Sequence, residues 1–274
     1  SAIVIVWFFF KSNQLFYINY FHQIYLIFIL SFIYWFDDLF GLSALFRFFL
    51  QFLMGFGITY LTIENNFLLV NYLYLISSLM GILSIIFCNA INFYDGLDLN
   101  ISIFIVINAI LIIFFASSTD LIYLTLILFA STIGFSLINI FPKSLYFGDS
   151  GCFFITSFIL FIFIIELKLN NLEILLVLAG LSLPIIDFVY VNVLRLYLGE
   201  NLLSRNFYYL YQEFNAKYKN KVYLLLQPAN TLLIIFTYHI LLNRGFSFFL
   251  AVFLSCLAVT AFFYTISRLI ILRR

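Results

Sequence analysis

Seven aspartates occur in this 274-residue chain, and five of them sit where an apolar run ends. They are Asp37 and Asp38 in W-F-D-D-L-F-G, Asp95 and Asp98 in N-A-I-N-F-Y-D-G-L-D, and Asp149 in F-P-K-S-L-Y-F-G-D-S-G. A carboxylate beside lipid is costly, so an ionisable residue in such a place is read as a site by default. Carboxylate oxygens are hard ligands that suit Mg²⁺, which also binds phosphate oxygens. Asp95 and Asp98 are three apart, with Asn92 and Asn89 at further steps of three, so a helix would carry neighbouring pairs on one face. Gly96 is expected to bend or end that helix and let the polar groups converge.

Asp37 and Asp38 close an apolar run. Carboxylates at a helix C-terminus oppose the macrodipole, so helix capping does not explain them. Adjacent carboxylates repel unless a cation or a shared proton relieves them, which points to a divalent metal or a proton-transfer role. In F-G-D-S-G the two glycines allow tight turns just before the next apolar run. Helix N–H groups there are expected to receive a phosphate while Asp149 holds Mg²⁺. The G-D-S-G string resembles a serine-protease nucleophile loop, but the only histidines are His22 and His239, each inside a distant apolar run. Asp187, after Pro184 in L-P-I-I-D, is eight residues from Arg195. Those two either pair within the membrane or serve function separately.

The elements that must position these residues are membrane helices. Hydrophobic residues make up 65% of the chain and charged residues 9%, with mean hydropathy +1.15. A soluble domain carries about 25% charged residues. The apolar runs are continuous rather than alternating, which excludes a barrel. The fold class is therefore all-α, a polytopic membrane protein of about ten helices. They are placed near 1–10 (partial), 16–36, 43–63, 67–88, 101–117, 121–140, 151–167, 172–193, 222–242 and 246–270. The run from Ala2 to Phe10 is shorter than the roughly 20 residues a span needs, so the first helix is expected to be truncated. Residues 1–274 read as one transmembrane domain, with 195–221 as a polar loop. The three cysteines (Cys88, Cys152, Cys256) lack metal or disulfide spacing and read as small buried hydrophobes. A net charge of +1 argues against a nucleic-acid partner.

Lysine and arginine favour the cytoplasmic side of membrane proteins. Alternating the polar breaks puts ten of them on one side and three (Lys11, Lys168, Arg244) on the other. The richer side, taken as cytoplasmic, includes Arg47, Lys143, Arg195, Arg205, Lys217, Lys219 and Lys221, and all five aspartates fall there. Lys143, Arg195 and Arg205 are expected to attract a nucleotide diphosphate. Lys217, Lys219 and Lys221 are expected to obey the orientation rule or touch lipid headgroups. Glu64, Asp120, Glu166 and Glu173 fall on the outer side and read as solvated loop charges.

Four stretches resemble, in order and spacing, the polyprenyl-phosphate N-acetylhexosamine-1-phosphate transferase family (glycosyltransferase family 4, the WecA/MraY group). They are D-D-L-F-G-L-S-A-L-F-R-F-F-L-Q (37–51), N-A-I-N-F-Y-D-G-L-D (89–98), F-P-K-S-L-Y-F-G-D-S-G (141–151) and P-I-I-D-F-V-Y-V-N-V-L-R-L (184–196). The resemblance implies a multi-pass enzyme of the bacterial cytoplasmic membrane with its site facing the cytoplasm. Its reaction would move N-acetylhexosamine-1-phosphate from a UDP-sugar to undecaprenyl phosphate. UMP would be released and cell-envelope glycan synthesis primed. It implies Mg²⁺ as cofactor, with Mn²⁺ an admissible substitute, and Asp149 as the metal ligand. Asp37, Asp38, Asp95 and Asp98 are implied in catalysis, and Asn89, Asn92, Lys143, Arg195 and Arg205 in substrate binding. Membrane lipid is a further expected partner, and a homodimer is left open.

Two departures accompany the resemblance. The family's histidine-rich loop, of the form D-R-x-H-x-H-H, is here S-R-N-F-Y-Y-L-Y-Q-E (204–213), with aromatics and no histidine. The Gly-Leu that commonly follows D-G-L-D is here Leu99-Asn100. The resemblance leads to the expectation of a further helix and basic loop ahead of residue 1. The lost histidines lean towards the WecA-like branch. They also keep open a divergent or inactive homologue that only binds the lipid carrier. An ion-coupled transporter is the rival from another class, although its carboxylates would lie near the membrane midplane.

Overall fold

The computed structural model describes residues 20–63, 72–139, 146–202, 207–218 and 221–272. Every regular element among them is helical, as the continuous apolar runs require. They are α1 (Phe21–Phe40), α2 (Ala44–Ile63), α3 (Leu73–Tyr94), α4 (Asn100–Phe115), α5 (Thr119–Asn139) and α6 (Gly148–Lys168). Then come α7 (Leu178–Tyr197, after a 3₁₀ turn at Leu172–Val177), the short α8 (Leu210–Tyr218) and α9 (Leu226–Asn243). The last span is α10 (Phe248–Leu254), a π turn at Ser255–Val259 and α11 (Thr260–Leu272).

Eight of these segments are long and apolar enough to cross a membrane. The ninth, α4, has 16 residues and reaches about 24 Å at 1.5 Å per residue, short of a hydrocarbon core of about 30 Å. Nine of the ten expected helices are thus present, and the tenth, at 1–10, lies outside the described residues. The polar loop expected over 195–221 contains a helix of its own, α8.

The main boundary corrections fall on the acidic motifs. Helix α1 runs on through Asp37 and Asp38 and stops at Gly41, whose positive φ of 68° lets its N–H turn back to the Asp37 carbonyl at 2.9 Å. Helix α3 runs on through Asn89 and Asn92 to Tyr94, and α6 already begins at Gly148. Polar residues interrupt the apolar pattern there, but each of these segments still satisfies its backbone as helix.

Helix α6 is the centre of the bundle. Of its apolar window 72% is buried, against at most 56% for any other span. It packs on α1, α2 and α3, with Tyr34 of α1 stacked on Phe153 at 4.5 Å. In α7, Pro184 has no N–H to give the Gly180 carbonyl. The Gln227 side chain of α9 donates to that carbonyl instead. The three cysteines are buried and free, as expected.

At the far end of α6 the structure corrects an expectation. Glu166 is fully buried rather than solvated. Its carboxylate accepts from the Ser117 N–H (2.9 Å) and hydroxyl (2.7 Å), the Ser118 N–H (3.0 Å) and the Asn171 amide (2.7 Å). Glu166 therefore caps the start of α5, where N–H groups lack helical partners. Glu173 is exposed as expected, Asp120 is half-buried, and Glu64 lies outside the described residues.

Candidate active site

Three helix ends meet at the start of α6. Asp38, in the last turn of α1, accepts the Asp149 N–H at 3.1 Å with one oxygen. Its other oxygen accepts the Ser150 N–H at 3.3 Å and the Ser150 hydroxyl. Asp95, just past the end of α3, accepts the Gly148 N–H at 3.1 Å. The first N–H groups of α6 were expected to receive a phosphate. They are instead taken by two carboxylates of the same chain. Asp38 sits at the wrong end of its own helix but at the favourable end of another, so the macrodipole that opposes it in α1 is offset by that of α6. Gly148 makes this docking fit. Its φ is 74°, and a β-carbon there would lie 3.3 Å from an Asp38 oxygen.

Asp37 points to the other side of the same helix end. One of its oxygens accepts the Leu42 N–H at 2.6 Å. The other is buried with no hydrogen-bond partner and lies 3.7 Å from the Arg47 Nε. The same guanidinium donates from Nη1 to Asp149 at 3.1 Å. Arg47 thus joins Asp37 to Asp149, residues brought together across 112 positions of sequence. From the sequence Arg47 counted only towards orientation. The signal available was a lone cation in the first turn of an apolar helix, where the macrodipole disfavours it.

Asp95 and Asp98 do not share a helix face. Helix α3 ends at Tyr94, and residues 95–99 form a turn. Burial pushes the Asp95 carboxyl up to about 7, although N–H bonds from Gly148 and Phe147 work the other way and Asp149 adds to the rise. Asp98 turns to Lys221, whose Nζ is 3.8 Å away, and its carbonyl accepts from the Tyr223 hydroxyl at 2.9 Å. Leu99 occupies the left-handed region, φ 61°, where a glycine is common in the family resembled. Its N–H is held by the Asn139 side chain at 2.5 Å.

The two asparagines stay on α3. Asn89 gives its amide to the Gln51 side chain at 2.8 Å and to the Ile85 carbonyl at 2.7 Å. Gln51 in turn donates to the Tyr34 hydroxyl at 2.9 Å. Asn89 therefore belongs to a polar seam between helices. Asn92 is half-buried, and its carbonyl accepts the Asp95 N–H.

The aromatic stretch that replaces the histidines packs against this turn. Tyr209 stacks on Phe93 at 5.0 Å, and the Tyr211 hydroxyl donates to the Phe93 carbonyl. Burial pushes the Tyr211 phenol up, which keeps it a donor. Helix α8 is anchored by Asp187, which accepts the Leu210 N–H at 3.0 and 3.2 Å and the Tyr264 hydroxyl at 2.8 Å. Its cationic partner is Arg268 at 3.3 Å, not Arg195. Arg268 also pairs with Glu213 of α8. Arg195 is buried, and its guanidinium donates to Glu200 (3.2 Å), to the Leu202 carbonyl (3.1 Å) and to the Asn201 carbonyl. Those donors close the turn after α7, so the expectation that they attract a diphosphate is not what the structure displays. Lys217 caps α11, donating to the carbonyls of Ile270 (2.7 Å) and Ile271 (2.9 Å). Lys143, Arg205 and Lys219 lie outside the described residues.

Among the described residues no three acidic, histidine or cysteine side chains converge as a complete metal cage. Mg²⁺ does not need one, since it is commonly held by one or two carboxylates, waters and substrate phosphates. The unpartnered buried oxygen of Asp37 and the carboxylate of Asp149 are a hard donor pair of that kind. His22 and His239 are both exposed and lie far along α1 and α9 from Ser150, so no protease-like dyad forms.

A family model described as glycosyl transferase family 4 matches residues 20–168. All five aspartates and Arg47 fall inside the match, while α7 and the aromatic loop fall outside it. No curated protein and no solved structure matched the chain.

Proposed function

The chain belongs to glycosyl transferase family 4, and from that premise we propose that it transfers a sugar phosphate from a nucleotide sugar to a polyprenyl phosphate. The donor in this reading is a UDP-N-acetylhexosamine and the acceptor is undecaprenyl phosphate. An acceptor phosphate oxygen attacks the sugar-bearing phosphorus of the donor. The new P–O bond forms as the bond to the bridging oxygen breaks, and UMP leaves. An acceptor phosphate is largely ionised near neutral pH, so no base is required to start the attack. Phosphoryl transfer then depends mainly on positioning and charge stabilisation.

The observation that carries this reading is the convergence of Asp37, Asp38, Asp95 and Asp149 from three separate chain segments at one helix start. Asp149 and Asp37 would hold Mg²⁺, which when bound neutralises phosphate charge. Asp38 and Asp95 fix the backbone that carries Asp149. Lys221 is a cation at the edge of the same turn, suited to an anionic donor. The sequence bias of ten basic residues against three supports a cytoplasmic site, and a bacterial inner-membrane location goes with it.

The test uses purified full-length protein with Mg²⁺, undecaprenyl phosphate and a panel of UDP-N-acetylhexosamines. UMP release with one donor is expected, with loss in Asp149→Asn while the variant keeps the wild-type melting profile. No UMP from any donor overturns the reading in favour of a lipid-carrier-binding homologue.

A further inference from the structure

Arg47 stands where its own helix does not favour it. It lies in the first turn of α2, whose N-terminal partial charge repels a cation. Two carboxylates hold it there, Asp149 by a 3.1 Å hydrogen bond and Asp37 at 3.7 Å. The Asp37 side chain is only 4% exposed, and the oxygen facing Arg47 has no hydrogen-bond donor among the described residues. One guanidinium therefore serves two carboxylates and leaves a net charge of −1. A divalent cation in place of the guanidinium would bring the sum to zero. Arg47 is 35% exposed, so its long side chain has open water to turn into.

We propose that Arg47 is a built-in competitor for the divalent cation, holding Asp37 and Asp149 together and giving way when the cation binds between them. This rests on the reading of Asp149 as a cation ligand. Removing the guanidinium removes a like charge from the cation's position, so affinity should rise even though a positive residue near two acids is usually counted as helpful.

The experiment titrates Mn²⁺ into full-length protein in detergent, without nucleotide or lipid phosphate, and reads free Mn²⁺ by electron paramagnetic resonance. Arg47→Gln is expected to bind Mn²⁺ about fivefold tighter or more, the size of a like-charge term at close range in a partly wet site. In wild-type protein, Mn²⁺ is expected to speed modification of Arg47 by an arginine-specific dicarbonyl, read by peptide mass spectrometry. Equal or weaker Mn²⁺ binding in a natively melting Arg47→Gln overturns the proposal, and so does slowed or unchanged modification of Arg47. If Arg47→Gln does not fold, the wild-type modification rate decides alone. Asp149→Asn separates the two layers. Loss of Mn²⁺ binding there keeps the cation site whatever Arg47 does, whereas wild-type binding there overturns both the site and the competition.

Discussion

Asp38→Asn separates architecture from chemistry at the acidic pair. The carboxylate takes three donors at the start of α6, two backbone N–H groups and the Ser150 hydroxyl, divided between its two oxygens. Asparagine keeps one acceptor oxygen and turns an amide NH₂ towards N–H groups, so about half the cap is lost together with its negative charge. Loss of a helix cap costs about 0.5–2 kcal/mol, and a charge at a helix start contributes about 0.3–1 kcal/mol. Asp38 is exposed, which favours the lower ends, so the expected loss is about 1 kcal/mol or less. Reversible unfolding in mixed micelles measures it, and a double-mutant cycle with Ser150→Ala should give a coupling of about 0.5–1 kcal/mol. Hydrogen exchange at the Asp149 and Ser150 amides should quicken in the variant, because those N–H groups lose their acceptors. The reasoning fails if Asp38→Asn unfolds like wild type, keeps slow exchange at both amides and still releases no UMP. Asp38 would then act on substrate directly, and its contacts with α6 would be incidental.

Three other outcomes follow from the same geometry. Leu99→Gly relieves a left-handed residue worth about 1–2 kcal/mol of strain but adds glycine entropy, so a gain of up to about 1 kcal/mol in unfolding free energy is expected. A clear loss would mean that the Leu99 side chain contributes more by packing than its backbone costs. Arg268→Met leaves Asp187 buried without its cation, a change that costs about 3–5 kcal/mol for such pairs, and it unties α8 from α11. Limited proteolysis should cut within 207–218 in that variant, and Asp187→Asn in the same chain should restore part of the resistance. Asp95, raised to about 7 in the fold, binds its proton more tightly folded than unfolded, where carboxyls titrate near about 4. Its contribution to stability should therefore fall as pH rises from about 4 to about 7 in chelator-containing buffer. Asp95→Asn should remove that slope, and an identical slope in the variant would assign it to other groups.

Helix type, and nine of the ten expected helices, were legible because continuous apolar runs leave the backbone no other way to satisfy itself in lipid. The acidic end of the bundle was legible too, since costly charges and the basic-residue bias pointed to the same side. Helix ends at acidic residues were not, because Asp37, Asp38, Asn89 and Asn92 look like breaks in hydropathy yet are helical in backbone. Partner identity was the larger gap. Asp187 has Arg195 eight residues away on its own helix, but the pairing goes to Arg268, 81 residues on. Glu166 looked like a loop charge because it ends a run, and only the three-dimensional approach of residues 117 and 118 shows what it accepts. Arg47 and Arg268 are lone cations in apolar segments, a placement that signals a buried partner without saying which residue it is.

Asp38, Glu166 and Asp187 solve one physical problem in the same way. Each is a carboxylate in or beside a membrane helix, and each accepts N–H groups at or just before the start of a different helix. Those N–H groups have no helical acceptor of their own, so one contact relieves a stranded donor and, at the buried Glu166 and Asp187, a desolvated charge as well. It also ties elements far apart in sequence, with a second charge needed only at Asp187, where Arg268 shares the contact. The consequence for the active-site end is a division of labour. Asp38 and Asp95 are committed to the first turn of α6, which sets where Asp149 stands. Asp37 and Asp149 retain oxygens that backbone donors do not claim, and these two face Arg47. A cation bound as proposed would therefore meet a pair already separated from the capping carboxylates, so Asp37 and Asp38, though adjacent in sequence, should fail in different ways when substituted.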